Sequence, residues 1–261
     1  MNLNADAPIT ADNRQYHLHT QQGDLSPLCL LVGDPARATL VAEEFLEHSR
    51  LVGDHRGFKS YTGRYQDKLV SVVTTGIGSP SLCTVVPEAY DSGARLFIRV
   101  GTCGSLIPAS QLGDVIIVNR ALRFEGASLN YAPAEFPAAA DPRIVAALTL
   151  SATRLHPGRY FVGTEATTDC FREGQGRPNT EGILTDRAAA NYRKAVGEGA
   201  ACFSMEASAL FVWCATHFNG IPCGAINAVI GNRITNVWGV EGEREVIAIA
   251  LEAICTLRDL V

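Results

Sequence analysis

The chain has 261 residues, enough for one well-buried core and short for two independent domains. Apolar residues make up 47% and charged residues 19%, and 22 Lys plus Arg against 27 Asp plus Glu leave a net charge of -5. That balance excludes a general nucleic-acid or membrane-surface binder, although a few local arginines could still hold a small anion.

The eight cysteines are dispersed and never form a CxxC pair, so they read as small core side chains rather than disulfides or a zinc site. The opening "MNLNADAPITADNRQYHLHT" is polar, and no later run approaches eighteen apolar residues. A cytoplasmic protein is expected.

Taken in order, apolar runs at 28–34, 69–75, 95–101, 114–120 and 223–231 lack clean alternation, which predicts strands covered on both faces. Helix-like stretches fall between several of them, at 36–48, 80–92, 141–153, Glu206–Phe218 and Glu241–Leu257. Asp141-Pro142 has the form of an N-cap followed by proline at the first helical position. The alternation predicts an α/β fold with a mixed or mostly parallel sheet. No repeat or linker is visible, so one domain over residues 1–261 is expected. The least regular stretches, 121–140 and 170–186, are the places to look for function.

Several strand ends carry chemistry. "LLVGDPAR" turns at Gly33 into a helix start whose amides, with Arg37, could hold an anion; it could equally be an ordinary corner. Arg99 lies inside an apolar strand and needs an anionic partner, either a structural carboxylate or a ligand. Gly101, Thr102 and Gly104 follow it, at the strand end where open α/β sheets place their sites. "TTGIGSPS" forms another strand-to-helix junction of the same kind, and no P-loop signature is present. Arg56 in "DHRGFKSYTG" reads, by itself, as a solvated arginine on a hairpin or helix end.

Met205 and Glu206 open a strongly apolar helix. Glu206 could cap that helix, or it could accept two sugar hydroxyls and face positive charge developing on the ring. Met205 is either core filler or an apolar floor. In "CFREGQGRPNTEG", Gln175 can meet an N–H and a C=O together while Arg177 meets a carbonyl, a match to the edge of uracil. Phe171 could pack on the base or sugar. The alternative is a solvated loop.

Taken together, "YHLHTQQGDL", "VGDPAR", "HRGFKSYTG", "TTGIGSPS", "IRVGTCGSL", "RFEGASLNYAPAEFPAAAD", "GTEATTDCFREGQGR", "SMEASALFVWC" and "VIGNR" resemble the nucleoside phosphorylase family, in its uridine phosphorylase branch. They run in family order over nearly the whole chain. The resemblance implies a single-domain, three-layer fold with a twisted mixed central sheet, assembled as a hexamer of dimers. It implies uridine and inorganic phosphate as substrates, with no cofactor and no metal. Carried over, Gly33, Arg37, Arg99 and Thr102 would bind phosphate, completed by Arg56 from a neighbouring subunit. His17 would cross the dimer interface to the ribose 5′-hydroxyl. Met205 and Glu206 would hold the sugar, Gln175 and Arg177 would read uracil with Phe171 nearby, and Arg233 would support the base pocket.

Two departures stand out. Ser204 occupies the place of a first glutamate before Met-Glu, which removes one carboxylate near the sugar. Gly231 replaces a bulkier aliphatic residue, which predicts a larger base pocket. The run "IGNRI" at 230–234 also lacks the aspartate of the purine branch, which favours a pyrimidine leaving group.

Overall fold

The computed structural model of the chain describes residues 5–6, 8–217 and 220–257. β1 (Leu28–Val32) turns at Gly33 into α1 (Pro35–Leu40), which continues as one wide π-helical turn over Val41–Phe45. β2 (Glu47–His55), β3 (Phe58–Tyr65) and β4 (Lys68–Thr74) follow as an antiparallel run. Next come α2 (Ser79–Asp91), β5 (Leu96–Ser105), β6 (Val115–Phe124) and the short β7 (Ala138–Ala139). The remainder is α3 (Pro142–Leu155), β8 (Tyr160–Thr168), α4 (Asp186–Gly197), β9 (Cys202–Ser204), α5 (Ala207–Thr216), β10 (Cys223–Asn232), β11 (Val237–Trp238) and α6 (Glu243–Thr256).

The strands form one mixed sheet in the order β11-β10-β6-β8-β9-β5-β1-β4-β3-β2, with β7 on β6. β10 also pairs in parallel with β5, which closes β5, β10, β6, β8 and β9 into a ring. Alternate side chains of the central strands feed two separate cores. Cys29, Leu31 and Phe97 pack with Leu82 and Val85 of α2 and Leu210 and Phe211 of α5. Leu30, Ile98 and Val100 pack on the other side with Ala38 of α1, Leu148 of α3 and Ile249 of α6. The expected helix–sheet–helix layering is present, and Arg99 follows Phe97 onto the face that α2 and α5 cover.

Two expectations need correction, and one long strand was not expected. The helix expected at 36–48 ends at Phe45, because 47–55 forms a sheet-edge strand whose largely exposed side chains give no apolar periodicity. The region 121–140 is not wholly irregular, since β6 runs to Phe124 before the 3-10 turn Ala127–Asn130. β8 passed unnoticed because its buried half is Thr-Glu-Ala-Thr-Thr, small and polar rather than apolar. The expected end of α5 at Phe218 lies outside the described residues. No described helix is long and apolar enough to cross a membrane.

Candidate active site

The corner after β1 brings the first cation inward. Gly33 sits so close to the next strand end that a methyl there would lie 3.3 Å from the Gly76 carbonyl. Asp34 caps α1 with its own carboxylate, accepting from Ala36 N–H at 2.8 Å. The helix start is thus partly satisfied, and the anion-attracting group of this corner is Arg37 rather than free amides. The Arg37 guanidinium is buried. Nε donates to Glu243 at 3.2 Å, Nη2 donates to the same carboxylate oxygen, and Nη1 faces the Val100 carbonyl at 3.4 Å.

Arg99, from β5, is only 5% exposed. Its side chain folds back over its own strand into the space above Gly101, where any Cβ would overlap the guanidinium. Nη1 donates to Asn227 Oδ1 at 2.7 Å and Nη2 pairs with Glu206 Oε2. Nε is buried without a partner among the described residues. The anionic partner demanded by a cation in an apolar strand is therefore Glu206, itself 3% exposed.

Glu206 stands at the N-cap position of α5, yet its side chain makes no capping bond. The first amides of the helix are met by β8 instead. Glu165 accepts from Ala207 N–H at 3.2 Å and Thr167 Oγ1 from Ser208 N–H at 3.1 Å. That arrangement releases the Glu206 carboxylate toward Arg99 and toward Gly78 N–H at 2.7 Å. Gly78, at φ 88°, begins α2, so the "TTGIGSPS" junction joins the same site. Ser204 donates to Glu206 Oε2 at 3.3 Å.

The loop at 170–177 supplies the opposite chemistry. A 3-10 turn over Glu173–Gln175 and a left-handed Gly176 bury Gln175 to 2% exposure. Its Oε1 accepts from Arg177 Nη1 at 2.7 Å, and the Arg177 guanidinium lies 4.6 Å over the Phe171 ring. Burial, with Arg233 adding like charge, pushes the Arg177 pKa down to about 10. Arg233 stands behind this pair, donating to the Gln175 carbonyl at 2.8 Å and lying over the rings of Tyr192 and Phe203.

One cavity of about 320 Å³ joins these parts. Gly33, Arg37, Arg99 and Thr102 line it together with Met205, Glu206, Phe171, Gln175 and Arg177. Arg233 is not a lining residue. His17 and Arg56 do not line it either: His17 Nδ1 meets Glu88 at 2.7 Å, and Arg56 occupies the tight turn between β2 and β3, 5.1 Å from the Tyr16 ring. Among the described residues no three His, Cys, Asp or Glu side chains converge as a metal-binding group. A cavity with cations beside a carboxylate, and with an amide and a guanidinium facing the same space, can hold an oxyanion next to a polar ring system.

Residues 27–259 match the family model described as the phosphorylase superfamily. The chain belongs to that family. It is 36% identical to the uridine phosphorylase of Thermococcus kodakarensis over 98% of this chain and 91% of that protein. Against the uridine phosphorylase of Escherichia coli it is 33% identical over 84% of this chain and 86% of that one. It is also 28% identical to the guanosine phosphorylase of Halorubrum lacusprofundi, over 89% and 90% of the two chains.

Within this phosphorylase fold, sequence reasoning overlooked three residues. Trp238 lines the cavity from β11, directly opposite Gly231 in the β10 pairing. A methyl on Gly231 would lie 3.1 Å from the indole, so that side of the cavity is walled by tryptophan rather than enlarged. Asn227 and Glu165 lie behind the cavity wall. Asn227 was signalled only as a lone polar residue in an otherwise apolar strand, and Glu165, among the small polar residues of β8, carried no such signal.

Proposed function

We propose that this chain catalyses reversible phosphorolysis of uridine, giving uracil and ribose 1-phosphate. The reading is carried by one observation: Arg37 and Arg99 line the same cavity as Glu206, Gln175 and Arg177. Phosphate rests against the two arginines, Gly33 and Thr102. It attacks the anomeric carbon from the face opposite the base, forming a C–O bond as the C–N bond breaks with its electron pair passing to uracil. The proton lost by the hydrogen phosphate ends on the uracil ring. Oxocarbenium-like charge on the sugar faces phosphate and Glu206, while Gln175 and Arg177 hold the carbonyl oxygens of the departing base. Groups aimed at developing charge in this way contribute about 3–4 kcal/mol each. Met205 floors the sugar, and the reaction as written uses no cofactor.

His17 and Arg56 serve the cavity of a neighbouring subunit in this reading, within a hexamer built from dimers. Their position away from their own cavity supports that assignment. Among the described residues the carboxylates lining the cavity are Asp34, which caps α1, and Glu206, which pairs with Arg99, so none of these residues accompanies Gln175 and Arg177 to protonate a purine. The test is base release from uridine, thymidine, cytidine and inosine with and without phosphate. Phosphate-dependent turnover favouring uridine is expected. Equal rates without phosphate would overturn phosphorolysis, and preference for inosine would overturn the pyrimidine assignment.

A further inference from the structure

Glu165 lies in the buried half of β8 with no exposed surface. A carboxylate is costly to bury unless several donors meet it. Three do: Asn227 Nδ2 at 3.0 Å, Thr167 Oγ1 at 2.8 Å and the Ala207 N–H at 3.2 Å. Asn227 uses its other terminal atom, Oδ1, to accept from Arg99. Ala207 directly follows Glu206 in the chain. A single carboxylate therefore grips both sides of the Arg99–Glu206 pair from behind.

We propose that Glu165 is a positioning residue that sets the Arg99 guanidinium through Asn227 and fixes the backbone turn carrying Glu206. Arg99 has only donors, so Asn227 must present its carbonyl oxygen to it. The Asn227 amide group then points into the protein and requires an acceptor, which Glu165 supplies. The same carboxylate occupies the first amide of α5 and holds Thr167, whose hydroxyl oxygen occupies the second, an amide Glu206 would otherwise meet with the oxygens it turns toward Arg99 and Gly78. The chain thus separates the two jobs of a carboxylate at this helix start: Glu165 caps and Glu206 faces the cavity.

Glu165→Gln tests the brace, because a side-chain amide keeps the shape but cannot accept from Asn227 and from Ala207 with both terminal atoms. A crystal structure of the variant should show the Arg99–Asn227 contact broken and Arg99 displaced from Glu206. In kinetics, the KM for phosphate should rise about ten- to a hundredfold, as for partners standing behind a ligating group, and by more than the KM for uridine. Thr167→Val removes one donor to Glu165 and the acceptor of Ser208 N–H but leaves the Asn227 link intact. It should lower the unfolding midpoint and raise the phosphate KM by clearly less than E165Q does. Where E165Q fails to fold, Asn227→Ser cuts the link at its other end without touching α5 and carries the same expectation. An unmoved Arg99 with an unchanged phosphate KM would overturn the proposal. The kinetic arm rests on the phosphorolytic reading and the crystallographic arm does not, so an inactive wild-type chain would sink that reading while the position of Arg99 still decides the brace.

Discussion

Trp238 lies against Gly231 across the β10–β11 pair, and the absence of a side chain at Gly231 is what allows it to approach. The indole is 62% exposed, so it forms a wall reachable from solvent rather than a core anchor. Gly231→Val should push the ring outward and loosen the hold on the base. The uridine KM should rise several-fold with the phosphate KM unchanged, and steady-state kinetics with each substrate varied in turn will show it. Unchanged uridine kinetics would remove Trp238 from the base pocket.

The space above Gly101 belongs to the Arg99 guanidinium. Gly101→Ala should therefore act as an arginine mutation made from a distance. Displacing Arg99 leaves Glu206 a buried carboxylate without its cation, at a cost of about 3–5 kcal/mol. Phosphate-dependent turnover should fall about a hundredfold or more. Both losses are expected in one variant, read by thermal unfolding and by phosphate titration. For the same reason Arg99→Ala will damage the fold as well as catalysis.

Subunit sharing predicts complementation. Arg56→Ala keeps its own cavity intact, whereas Glu206→Gln keeps a sound Arg56 to lend. Each homo-oligomer should be nearly inactive. Dissociating and reassembling an equal mixture should restore roughly a quarter of wild-type activity, since half the dimers are hybrid and half of their sites are complete. No recovery in verified hybrid oligomers would place Arg56 outside any active site.

Burial raises the Glu165 pKa above the ordinary carboxylate value, with Arg99 opposing the shift and Glu206 adding to it. The folded chain then holds this proton more tightly than the unfolded chain. Stability conferred by that difference is present below the unfolded pKa and declines as pH rises toward the folded one. Chemical denaturation from about pH 4.5 upward should show this decline in wild type, and Glu165→Gln should flatten it. An identical slope in both proteins would mean that Glu165 titrates normally.

The parts of the site legible in the sequence were those whose residue type was out of place. Arg99 in an apolar strand announced a partner, and the glycines at strand ends marked a close approach at Gly33 and a positive-φ turn at Gly78. Glu206 was visible but ambiguous, because a carboxylate at a helix start reads as a cap until Glu165 and Thr167 are seen to occupy the amides. Glu165 itself was hidden for the converse reason: "GTEATT" has no apolar period, and its burial comes from strands distant in sequence. The pocket width was misjudged from Gly231 alone, since the indole facing it arrives from a different strand. Edge strand β2 and the small polar core of β8 show the same limit, for periodicity reports burial only where apolar side chains produce it.

The pairing of β10 with β5 has a consequence for synthesis. Arg99 and Asn227 are separated by 128 residues, so the ribosome must make nearly the whole chain before that arginine meets its amide. Until Glu206 and Asn227 have both been made, a nascent chain carries a cation without its full set of partners on an otherwise apolar strand. Competence to bind substrate is thus among the last properties the growing polypeptide acquires, and a stalled or prematurely terminated product has a sheet under construction but no working centre.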